Sequence, residues 1–277
     1  MKFTKMQGIG NDYVYINCFE EKVPNPSELS VRLSDRHFGI GSDGMILIQP
    51  SQTADCKMDM YNADGSRGMM CGNGIRCVGK YVYERGIVKK EELRVETLSG
   101  IKTLHLKVDN GRVVSVTVDM GMPELRPAYI PVLLAGEQIV DTPLAIDGIE
   151  YRITCVSMGN PHCVVFVGDA NQVPLETIGP KFENNRNFPE KVNTEFIQIV
   201  DKNEIIMRVW ERGSGETWAC GTGACAAVVA CCLNLKTDRS VKVHLKGGNL
   251  DINWLPETGH VTMTGPAEFV FDGTIEI

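Results

Sequence analysis

The sequence predicts an α+β protein made of two pseudo-symmetric domains, each a mixed or antiparallel curved sheet wrapped around a central helix. Three observations carry this. Strand-like segments far outnumber helical ones and come in runs, not in strand–helix–strand alternation. The phrase YNADGSRGMMCGNG (61–74) returns as WERGSGETWACGTG (210–223), a long-period internal repeat. The chain has 277 residues, which favours two domains or one large one.

The elements follow in order. YVYIN (13–17) alternates and reads as a strand. PSELSVRLSDRH (26–37) opens with Pro26 and Ser27 and reads as an amphipathic helix. MILI (45–48) and KMDMY (57–61) are strand-like. A helix begins at Asn73 in NGIRCVGKYVYERG and stops at Gly86. Three alternating segments follow: LRVETL (93–98), KTLHLKV (102–108) and RVVSVTV (112–118). Gly and Pro cluster in MGMPELRPAY (120–129), which marks a domain boundary. Beyond it, YRITCVS (151–157), HCVVFV (162–167), NTEFIQIV (193–200) and EIIMRVW (204–210) read as strands. The helix from Thr222, TGACAAVVACCLN, is apolar on nearly every face, so sheet should enclose it. VKVHL (241–245), NLDINW (249–254) and HVTMT (260–264) are the next strands. On pattern alone, the final AEFVFDGTIEI fits either domain.

Composition narrows the function. A net charge of −7 argues against nucleic-acid and anionic-membrane partners, which want basic surfaces. The N-terminal MKFTKMQGIGNDYVYINC lacks an apolar signal core, and no apolar run approaches a membrane span. The expectation is a cytoplasmic protein whose ten cysteines are reduced thiols, most of them small buried hydrophobes.

Several motifs are set aside. GIGSDG (39–44) matches a dinucleotide fingerprint, but a strand follows it where a helix is needed. GIRCVGKY (74–81) approaches a phosphate loop, yet it ends in Tyr81 and lies inside a predicted helix. No C-x-x-C, H-E-x-x-H or G-x-S-x-G occurs, so neither a zinc site nor a serine-hydrolase elbow is expected.

The repeated phrase carries chemistry. A helix N-terminus has unpaired N–H groups and a partial positive charge, and both stabilise a thiolate. The glycines of Cys-Gly-Asn-Gly and Cys-Gly-Thr-Gly let a carboxylate approach the backbone. A lone cysteine in such a turn is more often a small packing residue. The recurrence with the same glycines favours a reactive pair, Cys71 and Cys220. Two such groups facing one carbon from opposite sides would invert it. One thiolate takes the α-proton and the opposite thiol returns one, while the helix N-termini stabilise the charge that develops. Such a pair would also be open to oxidation to an inactive disulfide that reductant reverses.

QGIGNDY (7–13), YNADGSRGMMCGNGIRC (61–77), MGNPHCVVFV (158–167), VNTEFIQI (192–199) and WERGSGETWACGTGACA (210–226) resemble the diaminopimelate epimerase family over essentially the whole chain. The resemblance implies a cofactor-independent, metal-independent isomerase that interconverts LL- and meso-diaminopimelate, as a homodimer. It implies domains at 1–118 plus 267–277 and at 119–266, with the active site at their interface. By motif, it makes Cys71 and Cys220 the acid/base pair. Gly72, Asn73, Gly221 and Thr222 would bind the reacting carboxylate. Asn11, Asn62, Asn160, Asn193, Glu211 and Arg212 would line the pocket, with Arg212 gripping the distal carboxylate.

Glu211 and His162 would tune a thiol. Two readings stand for His162: that tuning role, or a hydrogen-bonded histidine at a strand start. For the four asparagines the competing reading is a turn residue bonded locally, weakest for Asn62 and Asn193 and strongest for Asn160. Some relatives carry Gln where this chain has Gly44. Proline or hydroxyproline racemases, phenazine-type isomerases and a thiol redox protein or amino-acid binder are the rival readings.

Overall fold

A computed structural model describes residues 1–276, which divide into two compact units, 1–119 with 264–276, and 120–263. The first unit contains β1 (Lys2–Gly8), β2 (Asn11–Asn17), α1 (Pro26–Ser34), β3 (Gly44–Gln49), β4 (Cys56–Asn62), β5 (Arg67–Gly68), α2 (Gly72–Glu84), β6 (Glu92–Thr97), β7 (Gly100–Asp109) and β8 (Arg112–Gly121). The second contains β9 (Thr142–Ile146), β10 (Ile149–Ser157), β11 (Pro161–Phe166), α3 (Leu175–Glu183), β12 (Asn193–Ile199), β13 (Glu204–Glu211), β14 (Gly215–Thr217), α4 (Gly221–Leu233), β15 (Ser240–Leu245), β16 (Gly248–Trp254) and β17 (Val261–Gly265). The last strand, β18 (Glu268–Thr274), pairs antiparallel with β1 and so belongs to the first unit.

The units share one topology. In the first, β1–β2 is antiparallel, β2–β3 parallel, β3–β4 antiparallel, β4–β6 parallel and β6–β7 antiparallel, with β5 closing a hairpin on β4. In the second, β10–β11, β11–β12, β12–β13, β13–β15 and β15–β16 repeat that series, with β14 closing the hairpin on β13. This is the mixed-sheet, two-domain fold that the repeat predicts.

The registers extend the repeat residue by residue. Tyr13 lies opposite Gly44, as His162 lies opposite Asn193. Ile46 lies opposite Met60, as Glu195 lies opposite Val209. The paired positions are therefore Asn11 and Asn160, Tyr13 and His162, Ile46 and Glu195, Asn62 and Glu211, and Cys71 and Cys220.

Each unit builds its core around one helix. In α4, residues Ala224 to Cys231 are 0% exposed, because β10, β11, β12 and β16 all pack on it. Small side chains are what allow sheet to close around a helix on every side. The α2 helix packs on β1, β2 and β7, and it buries two charged residues with partners. Arg76 donates to the carbonyls of Gly72 and Pro266 and to Asn73 Oδ1, and Lys80 donates to the Val113 carbonyl at 2.9 Å. α2 ends at Arg85, where Gly86 takes φ +72°.

Helix α1 is shorter than its sequence pattern suggests. Asp35 Oδ1 accepts the N–H groups of His37 and Phe38 and turns the chain out of the helix. Helix α3 has no clear sequence signal, since Gly179 and Pro180 sit inside it. It occupies in the second unit the place of α1 in the first, between the two parallel strands. Its Gly179 lies against the Trp210 ring, where an added Cβ would sit 2.3 Å from the ring.

Candidate active site

The first-unit site starts at Cys71, the N-cap of α2, which has extended dihedrals of φ −124° and ψ 119°. That backbone turn brings Sγ over the first helical turn, where it accepts the Gly74 N–H at 3.3 Å. The Cys71 thiol also donates to Asn11 Oδ1 at 3.2 Å. The amide of Asn11 has one orientation available, because its Nδ2 donates to Asp43 Oδ2 at 2.7 Å. Asp43 also accepts from the Asp12 backbone N–H and pairs with Arg36 at 3.0 Å. Burial and the neighbouring Asp12 charge hold the Asp43 carboxyl above its ordinary range. Tyr13 is buried beside the thiol. Burial first, then the charges of Cys71 and Asp43, push its hydroxyl well above its usual value.

The second-unit site repeats the backbone and changes the chemistry. Cys220 is the N-cap of α4, at φ −118° and ψ 105°. Its Sγ accepts the Gly223 N–H at 3.3 Å and lies 3.5 Å from Thr222 Oγ1. Glu211 is half-buried here and accepts a hydrogen bond from Thr217 Oγ1. His162 is 0% exposed. Its Nδ1 is 2.6 Å from Glu195 Oε1 and its Nε2 is 3.0 Å from Asn160 Oδ1.

One expectation is corrected. The helix N-terminus leads one to expect a lowered cysteine pKa at Cys220. Burial outweighs it, and the Glu211 and Glu195 carboxylates add to burial. Together they push the Cys220 thiol well above its ordinary value, against the pull of Thr222 and the Gly223 N–H. The Glu211 carboxyl is likewise raised by burial, and the charge of His162 opposes that rise.

The remaining pocket candidates are placed as follows. Asn73 is 2% exposed, and its Oδ1 accepts from Arg76. Gly72 and Gly221 begin their helices and are buried. Asn193 is buried at the start of β12, and its Oδ1 accepts the Arg212 backbone N–H at 2.9 Å. Arg212 follows β13, with Nη1 on the Glu190 carbonyl at 2.9 Å. Asn62 donates to Ser66 Oγ within the β4–β5 hairpin, at 2.9 Å. The ranking holds for Asn193, whose partner lies far along the chain, and is exchanged between Asn62 and Asn160. Asn62 is tied up in its own turn, and Asn160 reaches away to an imidazole. At Gly44, an added Cβ would lie 2.2 Å from the Tyr61 carbonyl and 2.9 Å from the Tyr13 ring, so the backbone as folded leaves no room for a side chain.

The family model described as diaminopimelate epimerase matches residues 3–126 and 154–270. The chain belongs to the diaminopimelate epimerase family. A diaminopimelate epimerase of Agathobacter rectalis is 57% identical over 284 residues, covering 100% of both chains. One from Acetivibrio thermocellus is 56% identical over 277 residues, covering 100% of this chain and 99% of the relative.

Solved structures show the same fold at low identity. A phenazine biosynthesis protein of the PhzF family from Bacillus anthracis superposes with a TM-score of 0.74 at 16% identity, covering 100% of this chain and 99% of the other. A probable proline racemase from Agrobacterium radiobacter superposes at 0.72 and 17% identity, covering 100% and 93%. At such identity the likeness speaks for the fold alone.

Within this family framework, sequence reading overlooked three groups that touch the named site residues: Asp43, Tyr13 and Glu195. A signal for two of them was present. Carried from the cysteines back through the strands, the repeat puts Tyr13 opposite His162 and Glu195 opposite Ile46. As lone residues in strand patterns they were indistinguishable from core positions. Among the described residues, no group of three His, Cys, Asp or Glu is arranged to hold a metal ion, and no helix is long and apolar enough to cross a membrane.

Proposed function

We propose that the protein is an amino-acid isomerase that interconverts LL- and meso-diaminopimelate, with Cys71 and Cys220 as the proton-transfer pair. The observation that carries this reading is the recurrence of one constellation. In each unit a cysteine caps the buried central helix, with its sulfur on the N–H of the third helical residue. Inversion at an α-carbon needs one proton acceptor and one donor on opposite faces, and the repeat supplies one thiol from each unit.

The chemistry follows from the groups around each sulfur. The α-carboxylate takes the helix N–H groups of Gly72 and Asn73 and of Gly221 and Thr222. These donors stabilise the charge that flows into it as the α-proton leaves. Burial and two carboxylates hold the Cys220 thiol above its ordinary value and so disfavour the thiolate. The arriving α-ammonium offsets those carboxylates and brings the thiol into its working range. Asn11 accepts from the Cys71 thiol and so sets its direction. Arg212, with its planar fork, takes the distal carboxylate, and Glu211 pairs with an ammonium. Asn62, Asn160 and Asn193 complete the polar lining without adding charge. A substrate without the distal end leaves these groups unpaired and is rejected. The reading includes a cytoplasmic homodimer, needing neither pyridoxal phosphate nor metal.

The test is proton NMR of LL-diaminopimelate with reduced protein in D₂O, with EDTA present, no added cofactor, and proline in a parallel tube. Loss of an α-proton signal and growth of the meso isomer is the expected result. Cys71→Ala and Cys220→Ala should each lower kcat by about 10²–10⁴-fold, with unchanged far-UV circular dichroism. Exchange of proline alone would keep the two-thiol mechanism and replace the substrate. Exchange of neither would remove the reading.

A further inference from the structure

The second unit buries a carboxylate whose contact with His162 the reaction as described does not use. Glu195 is the third residue of β12 and is 0% exposed. Its Oε1 is 2.6 Å from His162 Nδ1, and its Oε2 has no hydrogen-bond partner among the described residues. An unpaired buried carboxylate oxygen is costly, and such a group calls for a reason.

Packing does not supply the reason. The counterpart of Glu195 in the first unit is Ile46. An apolar side chain there fills the same space against the first turn of its helix, where an added Cβ on Gly74 would lie 2.6 Å from Ile46 Cδ1. In the second unit the matching glycine is Gly223. An added Cβ there would lie 2.6 Å from Glu195 Oε1 and 3.1 Å from Cys220 Sγ. The carboxylate is thus set against the same turn that holds the thiol. Gly223 is the residue that lets both approach.

The geometry also decides which protons the imidazole carries. His162 and Glu195 are diagonal neighbours on one face of the parallel β11–β12 pair, whose register sets His162 opposite Asn193 and Val164 opposite Glu195. One ring nitrogen faces a carboxylate oxygen and the other faces Asn160 Oδ1. Both partners face the ring with an oxygen, the arrangement that a ring donating from both nitrogens satisfies.

We propose that Glu195 is a positioning residue of the site: it binds His162 Nδ1–H and holds the imidazole doubly protonated where its charge acts on Glu211. The titratable groups that act on this ring are Glu195 on β12 and Glu211 at the end of β13, and both carboxylates act in turn on Cys220 at the cap of α4. The Glu195 charge also acts on Cys163 of β11. The imidazolium charge opposes the rise of the Glu211 carboxyl, and an ionised Glu211 is what receives the substrate ammonium. The functional half of this inference rests on the two-thiol reading above; the state of the ring does not.

Glu195→Gln preserves shape and removes the charge. Two measurements separate the outcomes. In protein labelled with ¹⁵N-histidine, long-range ¹H–¹⁵N correlation at pH 7 reads both ring nitrogens of His162, assigned by loss of its signals in His162→Gln. The expected result is a doubly protonated ring in the parent and a neutral tautomer in E195Q. In steady-state kinetics, E195Q should move the acid limb of the kcat/KM profile upward by about one pH unit, and lower kcat at pH 7 about tenfold. Glu195→Asp should recover part of both. A neutral ring in the parent, or a ring unchanged in E195Q, overturns the inference without reference to any substrate. A rate loss that is equal at every pH reduces Glu195 to a structural role. If the parent ring is doubly protonated but no epimerisation occurs, the functional reading fails and the ring assignment stands.

Discussion

At the scale of single residues, the two cysteines have the same backbone and different company. Cys71 is oriented by an amide, and Cys220 sits among carboxylates. The Asn11 amide is useful only if its oxygen faces the sulfur, and Asp43 enforces this by taking the Nδ2 protons. An amide in place of that carboxylate accepts or donates equally well, so Asn11 is free to turn over. Asp43→Asn is therefore expected to lower kcat by about tenfold, the value of one well-made charge-assisted hydrogen bond, with little change in KM. Steady-state kinetics on correctly folded variant protein checks this. Equal loss in kcat and gain in KM would point instead to a damaged pocket.

At the scale of elements, the repeat explains why each helix takes its place. The cysteine phrase makes a helix N-terminus, and the parallel strand pair before it leaves a crossover that a second helix covers. In the first unit that helix is α1, with Ser30 donating to the Asn62 carbonyl at 2.8 Å. In the second it is α3, held by Trp210 Nε1 on Glu183 Oε2 at 2.8 Å. Sequence reading found α1, where Pro26 and Ser27 mark a start, and overlooked α3. Gly179 is present in α3 because the Trp210 ring needs the space, which is a tertiary reason for a helix-breaking residue. Gly179→Ala should thus destabilise the protein despite Ala's better helix propensity, by about 1–3 kcal/mol, read from urea unfolding midpoints. A stabilised variant would show that the Trp210 ring moves aside at no cost.

At the scale of the whole molecule, most ion pairs among the described residues stand alone, and one network lies behind the first-unit site. Asp12 meets Lys5 at 2.5 Å and Arg36 at 2.9 Å, and Arg36 continues to Asp43, behind Asn11. Burial works against the Asp12 charge, yet the Arg36 and Lys5 contacts outweigh it and hold the carboxyl below its ordinary value. A carboxyl with a depressed folded pKa contributes stability that is full above the unfolded pKa of about 3.9. That contribution is lost as pH falls through the folded value. Asp12→Asn should therefore melt below the parent at pH 7, and the gap should close below about pH 3.9. Melting curves across that range check the sign; a gap that widens in acid would contradict it.

How much of this was legible follows from what each feature depends on. The alternating strands, the two cysteine-capped helices and the repeat are local patterns, and the linear sequence holds them whole. By itself it determined the fold class, the Cys71–Cys220 pairing of phrases and, through long motifs, the family. It also named Glu211, His162 and Asn160 as neighbours of the chemistry. Only the tertiary structure decided that Asn160 turns to His162 while Asn62 stays in its own hairpin, that Asp43 directs Asn11, and that Glu195 stands behind His162. It also reversed the expected direction at Cys220. The physical reason is the same in each case. A helix terminus acts along the chain and can be read there, but desolvation and hydrogen-bond geometry depend on which strands lie side by side, and that is settled only when the sheet closes around its helix.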